Sequence, residues 1–456
     1  LNDFDWKLSM FSMDELISVL AFIFVNVLAF GNARLLARRF SRAVGTDWQT
    51  YWLTLITWFW AQVVIVQLIL GTLGLLRYQW VLSAVLAIFI VLVATEYRKP
   101  FTYAAPIVSE WWVNYRFEAA IMAVGLATVG VLLTVNAMTP PANWDSLTYH
   151  LEFPVQWYKQ ACLSLVLTPF GDGAPTYYPL NATLVYSWLL LPTGSLAIPD
   201  IGQAPFVLLA PLATYAVARQ IRIDRRGATW SALLALFVPM VLVNGTLWSY
   251  SDISMGAAFM LALYFVVKLT SGASFERGVM AGLALGLFIG VKGPALIYCL
   301  PLFAILGVFV IKYLVENPFP MSFRLIASIV LPLTILGGYS YLRNWLITGN
   351  PFYPVTFSIA GRVIWEGVIS INDYRQHPFY RFSFIEMLYQ PGYFPHFLLQ
   401  VILAPFAVWR EYKYRNNPSL FMLLLAASLY GLFYLLMPIS VTIVQSGNKS
   451  GQKCEK

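Results

Sequence analysis

Ala119–Met138 reads AAIMAVGLATVGVLLTVNAM, 20 residues without a single charge. At 1.5 Å per residue such a helix covers about 30 Å, the thickness of a bilayer's hydrocarbon core. The run is continuous rather than alternating, which marks a membrane helix and excludes a barrel strand. A polar phrase comes close behind it: Asn143-Trp144-Asp145-Ser146-Leu147-Thr148-Tyr149-His150. Asp145 therefore falls where a membrane helix leaves the bilayer. A carboxylate at that depth is costly unless something holds it, and the usual reason to hold it is function.

The rest of the chain repeats this pattern. Of 456 residues, 59% are hydrophobic and only 11% are charged. A soluble protein of ordinary composition carries about 25% charged residues. The aromatic share is 16%, and many of the 16 Trp and 26 Tyr flank apolar runs as interface anchors do. The expected fold class is all-α, a polytopic helical membrane protein. The runs give Leu16–Leu36, Trp52–Leu75, Trp80–Ala94, Ala119–Met138, Ala204–Ile221, Ala228–Val243, Ile253–Val267, Val279–Val291, Ala295–Val315, Leu325–Leu342, Phe397–Trp409 and Leu420–Val441. That is about twelve crossings of about 20 residues each.

Charge placement orients them. The net charge of +8 lies in short loops rather than in a nucleic-acid-binding face. Alternate crossings put Arg34 to Arg42, Arg98 to Arg116, Arg219 to Arg226, Lys268 with Arg277, Lys312 with Arg324, and Arg410 to Arg415 on one side. The positive-inside rule makes that side cytoplasmic. Tyr177–Pro192 is apolar, but counting it as a crossing would move Arg219 to Arg226 outside. It reads instead as a helix lying at the outer interface.

Two long loops then face outward, residues 139–203 and 343–396, and loops of this length in a membrane domain are usually functional. In the first, the spacing predicts a helix from Trp144 to about Cys162. Leu147, Leu151, Val155, Tyr158 and Cys162 form its apolar stripe, and Asp145, Tyr149, Glu152 and Gln156 another face. On an α-helix His150 stands about 140° from Asp145, which disfavours a simple dyad. Cys162, Cys299 and Cys454 show neither metal-ligand spacing nor a disulfide framework, and His377 and His396 have no partner at metal spacing. No metal site is expected.

Four polar features converge on the outer side. Asp145 follows one span, Asp252 joins two, Lys292 lies between two more, and Arg343-Asn344 opens the second long loop. A carboxylate beside Lys and Arg at one membrane face suits an acidic ligand such as a lipid phosphate. The carboxylate is then placed to take a proton from a hydroxyl. Each residue has a plainer role as well. Asp145 and Asp252 are good helix caps, Lys292 is of a type that snorkels at interfaces, and Arg343 with Asn344 suits the C-terminal end of a span.

Taken together, Asn143-Trp144-Asp145 with Tyr149-His150, Thr176-Tyr177-Tyr178-Pro179-Leu180, Ala284-Leu285-Gly286-Leu287 to Lys292-Gly293-Pro294, and Tyr341-Leu342-Arg343-Asn344-Trp345 with Thr348-Gly349-Asn350-Pro351 form a set. In order and spacing this set resembles the GT-C superfamily of membrane glycosyltransferases, near the protein O-mannosyltransferase and aminoarabinose transferase branch. The resemblance covers roughly Ala119 to Val441. It implies a module over residues 119–442, preceded by three extra spans in residues 1–99 and a cytoplasmic linker at residues 100–118, and succeeded by a polar tail at 443–456. The family pattern generally continues with further spans, so the chain reads as C-terminally truncated.

The resemblance implies transfer of a sugar from a polyprenyl-phosphate-linked donor to a glycan, lipid or protein acceptor at the outer face of a bacterial plasma membrane. Asp145 matches the family's catalytic carboxylate, which binds or deprotonates the acceptor. Tyr149, His150, Tyr178, Asp252, Lys292, Arg343 and Asn344 are the expected substrate-binding set, Lys292 and Arg343 neutralising the departing phosphate. The lipid-linked donor is the only small molecule implied besides the acceptor. An alternative is a catalytically inactive GT-C-like subunit of a larger membrane complex, joined to partner membrane proteins through residues 16–94.

Overall fold

The computed structural model describes residues 13–96, 114–169, 171, 173–359, 361–370 and 409. The expected spans Phe397–Trp409 and Leu420–Val441, most of the cytoplasmic linker, His377, His396 and the polar tail lie outside them. The chain divides into two compact units, Leu1–Val166 with Tyr178–Arg343, and Leu167–Tyr177 with Asn344–Lys456.

The regular elements described in the first unit are helices. Its helices are α1 (Met13–Val44), α2 (Trp48–Thr72), α3 (Tyr78–Glu96), α4 (Arg116–Met138), α5 (Glu152–Gln160), α6 (Thr183–Leu190), α7 (Ala197–Gln220), α8 (Arg225–Leu236), α9 (Asp252–Thr270), α10 (Phe275–Ile289), α11 (Ala295–Glu316) and α12 (Phe319–Gly337). Eight of these are long and apolar enough to cross a membrane: α1 to α4, α7, α9, α11 and α12. α8 continues after a 60° bend as Met240–Leu247, which makes a ninth span if the pair crosses together. The chain is an integral membrane protein of helical type.

Two expected elements are more enclosed than their hydropathy suggested. Val279–Val291 was expected as a crossing, and the helix found there, α10, has only 15 residues. Every residue from Gly278 to Ile289 is buried, so α10 is a core helix enclosed by its neighbours. Tyr177–Pro192 was expected to lie at the interface. Its helix α6 has eight residues, too short to cross, and Thr183, Leu184, Tyr186, Ser187, Trp188 and Leu190 are all buried. Polar anchors draw it inward: Gln67 Nε2 donates to the Leu184 carbonyl at 2.7 Å, and Trp188 Nε1 donates to Asn26 Oδ1 at 3.1 Å.

α10 packs against α12 at backbone distance because of its glycines. Gly278, Gly282, Gly286 and Gly290 recur every four residues and so share one face. A methyl group on Gly282 would stand 2.2 Å from the Ile329 carbonyl oxygen, and one on Gly286 2.9 Å from that of Leu333. The C-terminal end of α10 is closed by Asn181. Its backbone N–H donates to the Gly290 carbonyl at 2.8 Å, and its amide nitrogen lies 3.2 Å from the Leu287 oxygen and 3.1 Å from that of Leu336. Lys292 comes two residues after Gly290, so its origin is fixed by packing.

The basic loops gather at one end of this unit, as the charge pattern requires. There Arg39 pairs with Glu96 at 3.4 Å, Arg226 with Glu118 at 2.6 Å and Lys268 with Asp47 at 3.5 Å. These pairs tie together the C-terminal ends of α1, α3 and α9 and the N-terminal ends of α2, α4 and α8. Asp145 follows the other end of α4, Asp252 opens the other end of α9, and Lys292 follows the C-terminal end of α10.

The second unit contains a small β-hairpin, an addition to the all-α expectation. α13 (Tyr339–Thr348) leads into it and ends at Gly349, whose φ of +75° is the left-handed conformation that glycine adopts without strain. Asn350 then organises the turn. Its amide nitrogen donates to the carbonyls of Val355 at 2.8 Å and Glu366 at 2.9 Å, and its Oδ1 accepts from the Phe352 N–H at 2.8 Å. Strands β1 (Phe357–Ile359) and β2 (Arg362–Trp365) pair antiparallel, with a bulge after Phe357. Phe352, Phe357 and Trp365 cluster with ring centroids 5.4 to 5.5 Å apart.

Candidate functional site

The segment between α4 and α5 is not the regular helix that its spacing suggests. Ser146–His150 forms a π turn, in which the Leu151 N–H reaches back five residues to the Ser146 carbonyl at 2.9 Å. Such turns are rare and occur often at functional sites. The wider turn rotates α5 away from the register that a continuous α-helix would give it. The expected apolar stripe is therefore buried only in part: Leu151 is buried but Leu147 and Tyr158 are exposed, while His150, Phe153 and Trp157, outside the stripe, are buried. The polar face keeps its pairing at a spacing of four. Tyr149 Oη donates to Asp145 Oδ2 at 2.7 Å, and Gln156 Nε2 donates to Glu152 Oε1 at 2.7 Å.

The capping role open to Asp145 is not the one its side chain takes. Its backbone is helical (φ −64°, ψ −33°), and it makes no side-chain cap bond. The side chain is half-buried and faces Tyr149. Burial raises its pKa above the usual carboxylate value, opposed by the Tyr149 bond and the charge of Lys292, while Asp252 pushes it further up. These couplings place Asp145, Asp252 and Lys292 in one electrostatic neighbourhood.

Asp252 and Lys292 form an ion pair at 2.7 Å, with about a quarter and a fifth of their side chains exposed. Asp252 is the first residue of α9 and Lys292 lies just beyond α10, so the antiparallel α9–α10 hairpin brings their ends together. Lys292 is thus held by a carboxylate rather than extended into an interface.

Beneath these charges lies a layer of rings. Tyr149 and His150 are buried, with centroids 4.3 Å apart. Tyr178 meets Tyr149 edge-on at 6.0 Å. His150 Nδ1 lies 3.1 Å from Thr183 Oγ1, and its Nε2 is buried without a hydrogen-bond partner. Burial drives the His150 pKa well below the usual imidazole value, and Lys292 adds to the effect, so the ring is neutral at neutral pH. Tyr149 is shifted well above the ordinary phenol value, first by burial and then by Asp145, and remains a phenol. The π turn overturns the geometric premise for separating His150 from Asp145, but each residue has its own partner, Thr183 for His150 and Tyr149 for Asp145.

The linker before α9 is fastened from several sides. The Ser249 N–H donates to Ser146 Oγ at 3.2 Å, and Ser249 Oγ donates to Asp200 Oδ1 at 2.5 Å. Gln203 Nε2 donates to the Trp248 carbonyl at 2.5 Å, and Tyr186 Oη donates to that of Tyr250. Tyr250 is itself raised in pKa by burial and then by the charge of Asp145. None of Ser146, Asp200, Ser249 or Tyr250 was among the expected site residues. Tyr250-Ser251-Asp252 was legible as a polar link, but the bond to Ser146 joins positions 103 residues apart.

The remaining two expected residues lie further on. Arg343 sits within α13, half-buried, and Asn344 is the next residue, at the start of the second unit. The Asn344 amide nitrogen donates to the Tyr177 carbonyl at 2.8 Å and lies 3.1 Å from the Tyr353 oxygen, where the rings of Tyr177 and Tyr353 meet at 4.5 Å. Those bonds make Asn344 a brace within its unit. Among the described residues, no group of three or more His, Cys, Asp or Glu side chains is placed to hold a metal ion. Comparison with protein-family models, with curated proteins and with solved structures found no match for this chain.

Proposed function

We propose that this chain is a membrane glycosyltransferase that moves a sugar from a polyprenyl-phosphate-linked donor to an acceptor hydroxyl. The observation that carries the reading is the meeting of half-buried Asp145 with the Asp252–Lys292 ion pair, at the end of the helices opposite the basic loops. The positive-inside rule makes that end the outer face of a plasma membrane, bacterial in type by the family resemblance.

In the reaction, Asp145 accepts the proton of the acceptor hydroxyl. The acceptor oxygen forms a bond to the anomeric carbon as the bond from that carbon to the phosphate oxygen breaks. The electron pair leaves with the phosphate, and Lys292, aided by Arg343, neutralises it. One displacement inverts the anomeric centre. A desolvated carboxylate suits the role of base because its raised pKa makes it a stronger proton acceptor than an exposed one. His150, neutral and buried with an open Nε2, serves as a hydrogen-bonding group rather than a charge.

The test is transfer in proteoliposomes supplied with a polyprenyl-phosphate sugar. Asp145→Asn should lower the rate by about two orders of magnitude or more while the protein remains folded. Full transfer by that variant would remove Asp145 from the mechanism. Absence of both transfer and lipid binding in the unaltered chain would overturn the reading.

A further inference from the structure

We propose that Tyr149 is a positioning residue whose hydroxyl orients the Asp145 carboxylate and stabilises its charged form, and not a contact to substrate. The proposal rests on the reading of Asp145 as the base. Three observations carry it. The Tyr149 oxygen donates to Asp145 Oδ2 at 2.7 Å, a charge-assisted bond and among the stronger kinds a carboxylate accepts. The residue is 8% exposed, so the phenol has little surface to offer a ligand. The ring is held on several sides, by His150 at 4.3 Å, Tyr178 at 6.0 Å and Phe153 at 6.1 Å. A donor on a ring so fixed is aimed before any ligand arrives.

The other groups around Asp145 do not do this. Lys292 is 2.7 Å from Asp252, and their opposite charges act on Asp145 in opposite directions. Tyr250 and Tyr178 add phenols, and His150 is an uncharged imidazole already engaged with Thr183. Glu152, further along at the start of α5, accepts from Gln156. Tyr149 is the group that opposes the desolvation of Asp145 through a direct bond.

The test uses the full chain and the transfer assay over a pH series, with Tyr149→Phe. Removing the hydroxyl leaves the charged carboxylate less stabilised, so the acid limb of kcat/KM should move to higher pH by about one unit. At a fixed pH on that limb the loss is about tenfold, and it shrinks as pH rises. The KM for acceptor stays as it was. An unmoved acid limb overturns the proposal. An unmoved limb with a raised acceptor KM shows Tyr149 to be a substrate contact.

If the phenylalanine variant does not fold, a ring-fluorinated tyrosine placed at position 149 provides the opposite probe. It keeps the ring and strengthens the donor, so the limb should move to lower pH, and no movement again overturns the proposal. Infrared titration of the protonated carboxyl band that disappears in Asp145→Asn reads the same shift without turnover. If Asp145→Asn transfers at full rate, the proposed mechanism fails, and the titration still decides whether Tyr149 controls Asp145.

Discussion

Asp145 and Lys292 reach the same neighbourhood by opposite means. Lys292 leaves the end of α10, a helix pressed against α12 through glycines and closed by the Asn181 amide. Asp145 opens a π turn whose register is irregular and whose carboxylate is desolvated. One arm is made of close packing, and its charge is already balanced by Asp252. The other gives up regular helix geometry and leaves a carboxylate uncomfortable. Poor solvation is tolerated where chemistry needs a reactive group, and it is supported by rigid neighbours.

The largest effect should come from breaking the packed arm. In Gly282→Val the added side chain meets the Ile329 backbone, which cannot yield as a flexible side chain would. Overpacking of this kind costs about 1–3 kcal/mol, occasionally more, and a lower thermal midpoint in detergent checks it. If Gly282→Val folds as stably as the parent, α10 and α12 do not rely on backbone contact.

A smaller effect is expected at the ion pair. Lys292→Met leaves Asp252 without its partner, and Lys292→Met with Asp252→Asn removes both charges. The double variant should be more stable than the single one, because an unpaired, partly buried carboxylate is worse than none. Equal stabilities would mean that water already screens the pair. Both variants should lose transfer, through loss of the cation that meets the phosphate.

The smallest effect concerns Asp145 itself and has an unusual sign. Its pKa is raised on folding, so its stabilising contribution is present below the unfolded carboxylate value and is lost as pH rises through the folded one. At neutral pH the charged group opposes folding. Asp145→Asn should therefore show a slightly higher thermal midpoint at neutral pH, with the difference fading in acid. A lower midpoint at neutral pH would mean that the carboxylate is a structural anchor and not a desolvated base.

Much of the fold was legible in the sequence. Ala119–Met138 and its counterparts announced membrane helices because a bilayer leaves the backbone few alternatives. The alternation of basic loops assigned Asp145, Asp252 and Lys292 to one end, since each crossing reverses direction. The glycine repeat of α10 was also present in the sequence, at Gly278, Gly282, Gly286 and Gly290. Its meaning was hidden, because hydropathy distinguishes a lipid-facing helix from a buried one poorly when both are apolar.

Other features depended on distant partners. The apolar stripe of the first outer loop was right at Leu151 but not at Leu147 or Tyr158, because α-helical spacing cannot foresee a π turn stabilised partly by Ser249 and its neighbours. Asn344 carries polarity that suits a ligand, and only the carbonyls of Tyr177 and Tyr353 show that it braces backbone instead. The hairpin at Phe357–Trp365 lies in a loop whose aromatic residues also suit an interface.

The order of residues is enough to make this chain a helical membrane protein and to say which of its polar residues share an end. Two local rules suffice for that: the cost of burying polar backbone in lipid, and the preference of basic loops for one side. Packing in three dimensions settled which apolar segments are core, that Lys292 rests against Asp252, and that Asp145 is desolvated. Those outcomes depend on which side chains desolvate one another, and that is set by packing between segments far apart in the chain.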